Sequence, residues 1–184
     1  MQITDTALPE VKLIQPVRHG DARGYFSEVY REDALRKAGV EIDFVQDNQS
    51  MSAPVGVLRG LHFQTPPMAQ AKLIRVIAGS ILDVAVDIRR GSPRYGQHVA
   101  FVLSAAEGNQ LFVPEGFAHG FCTLEPNSTV IYKVNRYYSP ENDRGLLWND
   151  PALGIDWRLG NREPILSEKD QHYPTLADLE PHFA

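Results

Sequence analysis

The segment spanning residues 71–87 constrains the fold of this 184-residue chain more than any other part of it. It consists of two apolar runs rich in β-branched side chains, residues 71–78 and 81–87, separated only by Gly79 and Ser80. Two such runs joined by a two-residue turn predict a β-hairpin. Side chains alternate along a strand, so the returning run has one face formed by Leu82, Val84 and Val86 and another formed by Ile81, Asp83, Ala85 and Asp87.

The rest of the chain repeats this pattern of short apolar runs divided by glycine, proline, asparagine and serine. Further strands are predicted at residues 26–30, 44–50, 57–63, 97–103, 110–113, 120–124 and 129–134. Helical signals are few and short: residues 31–38, which Gly39 ends, and residues 176–179. We therefore expect one all-β domain covering residues 1–184, built as a sandwich or barrel with a few short peripheral helices.

Composition argues against several functional classes. Apolar residues make up 43% of the chain, and no apolar run approaches the roughly 18 residues that a membrane span requires. The N-terminus lacks the basic and apolar regions of a secretory signal. Cys122 is the only cysteine, which excludes an intrachain disulfide and favours a reducing compartment. We therefore predict a cytoplasmic protein with no membrane partner. A net charge of -5 argues against a general nucleic-acid binder.

Two motifs of glycine, proline and histidine indicate where the functional site lies. The first is G-x5-H at residues 56–62, later closed by Gly79, and the second is G-x5-P-x-G-x2-H at residues 108–119. Their spacing resembles the two motifs of the cupin superfamily, whose members are jelly-roll barrels that normally bind a metal ion. The resemblance implies a cupin-type jelly roll with a site inside the barrel.

The chain departs from the cupin pattern at two metal-ligand positions. The first cupin motif normally supplies His-x-His and then a glutamate seven residues before its last glycine. Here Gln64 occupies the position of the second histidine, and Lys72 occupies that of the glutamate. An ammonium group thus stands where a carboxylate would help to bind a cation. This pattern indicates a site that stabilises negative charge, and we expect neither a metal nor another cofactor.

A more specific resemblance comes from seven short motifs in a fixed order. They are D-A-R-G-Y-F-S-E from residue 21, Q-D-N-Q-S from 46, V-L-R-G-L-H-F-Q from 57, P-E-G-F-A-H-G-F from 114, Y-Y-S-P from 137, L-W-N-D from 147 and L-S-E-K-D from 166. Together they resemble the dTDP-4-dehydrorhamnose 3,5-epimerase family over nearly the whole chain. The resemblance implies an isomerase that acts on a nucleotide sugar.

Epimerisation beside a ketone needs a base, a group that stabilises the enolate oxygen, and an acid on the opposite face. His62 is the candidate base, because an imidazole is mostly neutral at physiological pH. Lys72 and His119 are candidates for stabilising the enolate in place of a metal. Tyr132 is the candidate acid. The family resemblance adds Asp170 as the partner of His62.

Several of these residues also have an ordinary structural interpretation. Lys72 could point outward and aid solubility, and His119 could belong to a turn that enters a strand. Tyr132 could be a core aromatic residue whose hydroxyl is hydrogen-bonded. Asp170 could be a surface charge. The residues alone leave these alternatives open.

The resemblance also implies a set of substrate contacts. Arg23, Arg59 and Lys169 would bind the diphosphate, a role that suits the guanidinium fork. Tyr138 would stack on the thymine ring. Polar contacts to the nucleotide and sugar are expected from Glu28, Gln46, Asp47 and Asn48. A further carboxylate contact is expected from the loop at residues 141–145, either Glu141 or Asp143.

We therefore expect conversion of dTDP-4-dehydro-6-deoxy-D-glucose to dTDP-4-dehydro-L-rhamnose by inversion at C3 and C5, on the route to dTDP-L-rhamnose. The resemblance implies a homodimer in which N-terminal strand residues complete the neighbour's site. An epimerase of one centre and a ketoisomerase, each acting on a related dTDP-keto-sugar, are close alternatives. A metal-dependent cupin enzyme and a non-catalytic sugar-binding jelly roll are the alternatives from other classes.

Overall fold

The computed structural model describes all 184 residues, and its regular secondary structure consists almost entirely of short strands. Its elements are β1 (Gln2–Asp5), β2 (Lys12–Gln15), β3 (His19–Asp21), β4 (Gly24–Phe26), α1 (Glu32–Lys37), β5 (Gln46–Ser52), β6 (Leu58–Gln64), β7 (Lys72–Ala78), β8 (Ser80–Asp87), β9 (His98–Ser104), β10 (Gln110–Val113), β11 (Phe117–Thr123), β12 (Ser128–Val134) and β13 (Asp143–Gly145). A 3₁₀ turn follows at Lys169–Gln171.

Two antiparallel sheets face each other. The larger sheet has the strand order β1-β2-β10-β7-β12-β5, and the smaller has the order β13-β6-β11-β8-β9. Strands β3 and β4 form a separate two-stranded hairpin that pairs with neither sheet. The segment of residues 71–87 therefore crosses from one sheet to the other at Gly79, since β7 lies in the first sheet and β8 in the second.

Three apolar layers stabilise this arrangement. Between the sheets lie inward-facing side chains of both, such as Ile74 and Val130 from the larger sheet and Ala85 from the smaller. The outer face of the smaller sheet is covered by the C-terminal third of the chain, including Trp157. The outer face of the larger sheet is partly covered by α1 through Leu35. Strand β8 is buried along its whole length, because both of its faces contact an apolar layer.

The pairing of β6 with β11 places two histidines side by side, because His62 and His119 are direct cross-strand partners. Two glycines allow this close approach. A Cβ atom on Gly120 would lie 2.8 Å from the Arg59 carbonyl oxygen, and one on Gly60 would lie 2.5 Å from the Gly120 Cα. Since real Cβ atoms do not approach backbone atoms so closely, any larger residue would push the two strands apart.

Most of the predicted elements are confirmed, including the all-β class, the two strands within residues 71–87 and the helix near residues 31–38. The hairpin predicted from those two strands is wrong, because β7 pairs with β10 and β12 whereas β8 pairs with β9 and β11 in the other sheet. The strand predicted at residues 26–30 is wrong, because β4 ends at Phe26 and the next four residues are irregular. The helix predicted at residues 176–179 is also wrong, because this segment forms turns that pack Leu179 against the smaller sheet. Strands β1, β2, β3 and β13 were not predicted; each has only three or four residues.

None of the helices has the length and apolar character needed to cross a membrane. The cytoplasmic location and the assignment of residues 1–184 to one domain stay predictions.

Candidate active site

A cavity of about 450 Å³ opens between the two sheets. His62 and His119 enter it from the smaller sheet, on β6 and β11. Lys72 and Tyr132 enter it from the larger sheet, on β7 and β12. Asp170 enters from the 3₁₀ turn. The five residues predicted to carry the chemistry therefore converge on one cavity, although the chain positions of His62 and Asp170 differ by 108 residues.

His62 and Asp170 form a buried pair, with His62 Nε2 2.5 Å from Asp170 Oδ1. Burial alone would raise the pKa of Asp170, but hydrogen bonding from His62 helps to bring it below its ordinary value, so the carboxylate is ionised. The Ser167 hydroxyl donates to the other carboxylate oxygen over 2.8 Å. Because an ionised carboxylate only accepts, His62 Nε2 carries the proton and Nδ1 keeps a free lone pair.

Burial lowers the pKa of His62 below its ordinary value, and the nearby positive charges of Lys72 and Lys169 act in the same direction. The hydrogen bond with Asp170 opposes this shift without reversing it. His62 is therefore neutral near pH 7, the state that a general base requires.

Tyr173 supports the position of the His62 ring and was not predicted from the sequence. The two rings meet edge to face with centroids 5.8 Å apart. Tyr173 fits only because residue 145 is glycine, since a Cβ there would lie 2.3 Å from the tyrosine ring. No local signal identifies this contact, because Tyr173 lies in an irregular segment far from both motifs.

A second histidine–carboxylate pair lies beside the first. His119 Nε2 is 2.7 Å from Asp83 Oδ1, and Asp83 has no solvent exposure. The other oxygen, Asp83 Oδ2, is buried and has no hydrogen-bond partner within the chain. An unpartnered buried carboxylate oxygen is energetically costly, which points to a functional role. The sequence contained a signal for Asp83, because this carboxylate interrupts an apolar strand. It lies on the same strand face as Ile81 and Ala85, which point into the core between the sheets.

Lys72 points into the cavity, so its interpretation as an outward solubilising residue is wrong. Its ammonium group lies 3.4 Å from the His62 carbonyl oxygen and forms no ion pair at close range. Burial lowers the pKa of Lys72 to about 8, the negative charges of Asp83 and Asp143 oppose the shift, and Lys169 adds to it. The side chain is thus a buried cation that can lose its proton only slightly above neutral pH.

Tyr132 lies across the cavity from His62, on the opposite sheet. Its ring packs against the apolar layer between the sheets. Its hydroxyl makes no hydrogen bond within the chain. The alternative interpretation of Tyr132, as a core residue whose hydroxyl is hydrogen-bonded, therefore does not hold. Burial raises the pKa of Tyr132 above its ordinary value, while the charge of Arg59 opposes the shift. The phenol is therefore protonated across the physiological range.

A second cavity of about 260 Å³ adjoins the first and shares His62, Lys72, Tyr132 and Lys169 with it. It also contains four of the predicted substrate contacts, Gln46, Asn48, Tyr138 and Asp143. Asp143 accepts hydrogen bonds from Lys169 at 3.0 Å and from the Tyr138 hydroxyl at 3.3 Å. Glu141 is exposed and lines neither cavity. Arg59 lines the first cavity, where its Nε donates to the Ser52 hydroxyl over 3.2 Å.

Three predicted substrate contacts lie away from both cavities. Arg23 is on the β3–β4 hairpin, has a side chain that is 89% exposed and pairs only with Asp21. Glu28 follows that hairpin, and its Oε2 lies 3.4 Å from Arg31 Nη1. Asp47 alternates with Gln46 and Asn48 along β5, so it lies on the outer face of the sheet and pairs with Lys133 at 2.8 Å.

The cavity has no arrangement of ligands typical of a cupin metal site. No group of three or more histidine, cysteine, aspartate or glutamate side chains in the chain is arranged to bind a metal ion. Gln64, at one of the ligand positions, hydrogen-bonds backbone atoms of neighbouring loops instead.

The model of the dTDP-4-dehydrorhamnose 3,5-epimerase family matches residues 5–178. The chain belongs to this family. A dTDP-4-dehydrorhamnose 3,5-epimerase of Sinorhizobium fredii is 51% identical over 183 residues, covering 100% of this chain and 93% of the relative. The crystal structure of the Bacillus anthracis enzyme with TDP and PPi bound is 49% identical, with a TM-score of 0.91 over 95% of this chain and 98% of that one.

The Legionella pneumophila structure, dTDP-6-deoxy-D-glucose-3,5-epimerase in complex with dTDP-4-keto-L-rhamnose, is 43% identical. Its TM-score is 0.92, over 97% of this chain and 94% of that one. These matches confirm the predicted family and the cupin-type all-β fold.

The position of Asp83 predicts a change in the pH dependence of activity. Lys72 must be protonated to stabilise an enolate, so kcat/KM should fall as pH rises through the pKa of Lys72 at about 8. Asp83 opposes the loss of that proton. In Asp83→Asn the pKa of Lys72 should be lower, so kcat/KM should begin to fall at a lower pH than in the wild type. Activity should be reduced up to about tenfold above pH 8 and less at pH 7, since lowering a pKa by about one unit reduces the protonated fraction about tenfold above that pKa.

Asp87→Asn is the matched control for this measurement. Asp87 is equally buried on the same strand, but it pairs with Arg89 outside both cavities. This variant should lose stability and keep the wild-type pH profile. A uniform loss of activity at every pH in Asp83→Asn would mean that Asp83 acts only on the fold.

Proposed function

We propose that this protein inverts both C3 and C5 of dTDP-4-dehydro-6-deoxy-D-glucose to give dTDP-4-dehydro-L-rhamnose, in dTDP-L-rhamnose biosynthesis, using its own side chains alone. The relatives that carry the 3,5-epimerase name match nearly the whole chain, and the Legionella relative holds the corresponding keto sugar nucleotide. The observation that carries the proposal is that His62 and Tyr132 lie on opposite walls of one cavity.

His62 is the proposed base. Its Nδ1 lone pair is free, because Nε2 donates to Asp170. Removal of a proton from C3 or C5 makes the imidazole an imidazolium, whose charge the adjacent Asp170 carboxylate stabilises. Asp170 therefore has two effects: it selects the tautomer that leaves Nδ1 available, and it supports the charge that forms on the ring.

Lys72 is the proposed stabiliser of the enolate, with His119 beside it. C3 and C5 both flank the C4 ketone, so either proton removal places negative charge on the same oxygen, O4. One fixed cation can therefore serve both epimerisations. A buried ammonium interacts more strongly with the oxyanion than an exposed one would, because the surrounding dielectric is low.

Tyr132 is the proposed acid. It comes from the larger sheet, whereas His62 comes from the smaller sheet, so a sugar ring held between them presents one face to each. Inversion requires a proton to leave one face and another to arrive at the opposite face. A protonated phenol with no hydrogen-bond partner in the chain suits the second step.

The second cavity is the proposed nucleotide subsite. Tyr138 would stack on thymine, Gln46 and Asn48 would contact the nucleotide and sugar, and Arg59 and Lys169 would bind the diphosphate between the two cavities. Asp143 rather than Glu141 is the proposed carboxylate contact, because it lines the cavity. These positive side chains would provide the local attraction for an anion that the net charge of -5 does not.

Arg23 and Glu28 are proposed to act on the site of a partner subunit in a homodimer. The β3–β4 hairpin stands apart from both sheets and exposes Tyr25 and Phe26 at 57% and 66%. Exposed aromatic side chains on a segment without partners are typical of an interface. This arrangement would place Arg23 near the diphosphate and Glu28 near the nucleotide of the neighbouring cavity.

The reaction itself can be tested in deuterated water. Wild-type protein incubated with the keto sugar nucleotide should incorporate deuterium at C3 and C5 and form the L-configured product, whereas exchange at one carbon would indicate a single-centre epimerase. His62→Ala should reduce exchange at both carbons by about 10²–10⁴-fold. Its affinity for dTDP should stay near the wild-type value. Wild-type exchange in this variant would remove His62 from the mechanism.

The Tyr132→Phe variant tests the role of the proposed acid independently of the proposed base. His62 should still remove the proton, so exchange with solvent should persist while net inversion falls at least about 10²-fold. Phenylalanine keeps the packing of the ring, and the hydroxyl has no partner in the chain, so stability should change little. Deuterium incorporation and epimer formation are measured in one reaction. Full inversion by this variant would assign the acid to water or another residue.

The exchange of hairpins between subunits can be tested by mixing inactive variants. Arg23→Ala and His62→Ala homodimers should both have low activity. A mixed dimer contains one site with an intact Arg23 from one subunit and an intact His62 from the other. Unfolding and refolding the two variants together should therefore restore about a quarter of wild-type activity, since half of the dimers are mixed and half of their sites are complete. No recovery would contradict the proposed exchange.

A further inference from the structure

Gln64 occupies one of the metal-ligand positions of the cupin pattern, yet its side chain is committed to backbone groups. It lies two residues after His62 at the end of β6 and is only 3% exposed. Its Nε2 donates to the Met68 carbonyl at 2.6 Å and to the Tyr137 carbonyl at 3.2 Å. Its Oε1 accepts from the Ser139 amide at 2.8 Å. One amide group thus makes three hydrogen bonds, all to main-chain atoms of loops.

Two of these bonds fall on either side of Tyr138. The Tyr137 carbonyl and the Ser139 amide are the main-chain groups next to Tyr138 along the chain, so Gln64 fixes the backbone on both sides of this residue. The Tyr138 side chain is 59% exposed. Its one polar contact is the 3.3 Å hydrogen bond to Asp143. The direction of the ring therefore depends mainly on the backbone that carries it.

A second amide connects the same two segments without acting on Tyr138 directly. Asn142 Nδ2 donates to the Thr65 hydroxyl at 2.9 Å, and the Asn142 side-chain oxygen accepts from the Ser139 hydroxyl at 2.8 Å. The loop of residues 137–143 is thus attached to the end of β6 at two points. Loss of the Gln64 contacts would release its first half, which contains Tyr138, and leave the second half, which contains Asp143, attached.

We propose that Gln64 is a positioning residue for the nucleotide subsite: it sets the backbone around Tyr138 so that the ring faces the second cavity as a platform for the base of the nucleotide. This inference rests on the proposed function, in which Tyr138 stacks on thymine. Gln64 also lines the second cavity, but its amide group is already used by the three main-chain contacts, so it acts on the nucleotide through Tyr138. The position that ligates a metal in the cupin pattern thereby determines the affinity for the nucleotide half of the substrate.

The chemistry of the amide explains why glutamine suits this position. The site needs two donors for carbonyl oxygens and one acceptor for an amide N–H, and a primary amide offers both. Glutamate has the same size but, when ionised, would place a carboxylate oxygen against two carbonyl oxygens. Methionine fills a similar volume and offers no donor. Methionine should leave the Tyr137 carbonyl and the Ser139 amide without their partner, whereas glutamate should keep the acceptor for Ser139 and leave the Met68 and Tyr137 carbonyls without a donor.

The test measures dTDP affinity together with kcat and KM in Gln64→Met and Gln64→Glu. Both variants should bind dTDP about tenfold more weakly, and KM for the keto sugar nucleotide should rise by a similar factor. At saturation kcat should stay within about twofold of wild type, because His62 and Lys72 are not displaced. A fall in kcat with unchanged KM would overturn the proposal, since Gln64 would then act through His62.

Ser128→Ala is the control for a loss of buried hydrogen bonds in general. The Ser128 hydroxyl is buried and contacts main-chain groups of Ser80 and Glu125, at the end of β12 distant from Lys72. This variant should lower the melting temperature as much as the Gln64 variants without altering dTDP affinity. If Ser128→Ala weakens dTDP binding equally, the effect at Gln64 is general destabilisation and the proposal fails.

A double-mutant cycle with Tyr138→Ala decides whether Gln64 acts through that ring. Tyr138→Ala alone should weaken dTDP binding. In the Tyr138→Ala background, Gln64→Met should cause less than about twofold further loss, since the platform is already absent. Additive losses would overturn the proposal. If Tyr138→Ala leaves dTDP affinity unchanged, the assigned base subsite is wrong and this inference fails with it, while deuterium exchange by the wild type still tests the epimerase activity independently.

Discussion

The structure depends on how it buries charge between two apolar sheets. An isolated charge in such an interior costs several kcal/mol, so each must have a compensating group. The Asp170 carboxylate has His62 at 2.5 Å and the Asp83 carboxylate has His119 at 2.7 Å. Lys72 has no close partner and depends on the charges of Asp83 and Asp143 from a distance. The site therefore contains two carboxylates that are each hydrogen-bonded to a histidine, and one cation whose pKa is lowered to about 8.

This distribution of charge differs from that of a structural ion-pair network. In such a network each cation would meet a carboxylate directly, and the pairs would have little influence on a ligand. Here the ammonium group of Lys72 is left for a ligand, and one oxygen of Asp83 has no partner. An enolate oxygen placed beside Lys72 would provide the missing close negative charge. The site is thus better matched to an intermediate than to the empty cavity.

Motif spacing singled out His62, Lys72 and His119, but the residues alone left the directions of Lys72 and Tyr132 open. The structure decides them, because both side chains line the cavity between the sheets. The pairing of His62 with Asp170 could be inferred only from family resemblance, because the contact joins β6 to a turn near the C-terminus. The roles of Tyr173 and Gln64 were not predictable, since each depends on loops whose course no local pattern determines.

Other expectations failed for definable reasons. Asp47 was grouped with Gln46 and Asn48 because the three are consecutive, but consecutive strand residues face opposite sides of a sheet. The strand predicted at residues 26–30 fails because the chain leaves β4 at Phe26 and continues as irregular backbone, along which Tyr30 is half-buried against Phe44. Arg23 is a different case: it lies on the β3–β4 hairpin, outside the cavities of its own chain, and its contact with the substrate of a neighbouring subunit stays a proposal.

Lys72 stands where the cupin pattern has a metal-ligand carboxylate, and this replacement affects which charges must surround the site. A divalent metal keeps its charge at any physiological pH, whereas a buried lysine with a pKa of about 8 does not. A barrel that uses lysine as its electrophile must therefore add negative charge near it, but not in contact with it, since a direct ion pair would neutralise the group. Asp83 meets both conditions, because one of its oxygens is bound to His119 and its carboxylate remains close enough to raise the pKa of Lys72. In the proposed mechanism, the second histidine–carboxylate pair would therefore serve Lys72: His119 holds Asp83 in place, and the charge of Asp83 raises the pKa of Lys72.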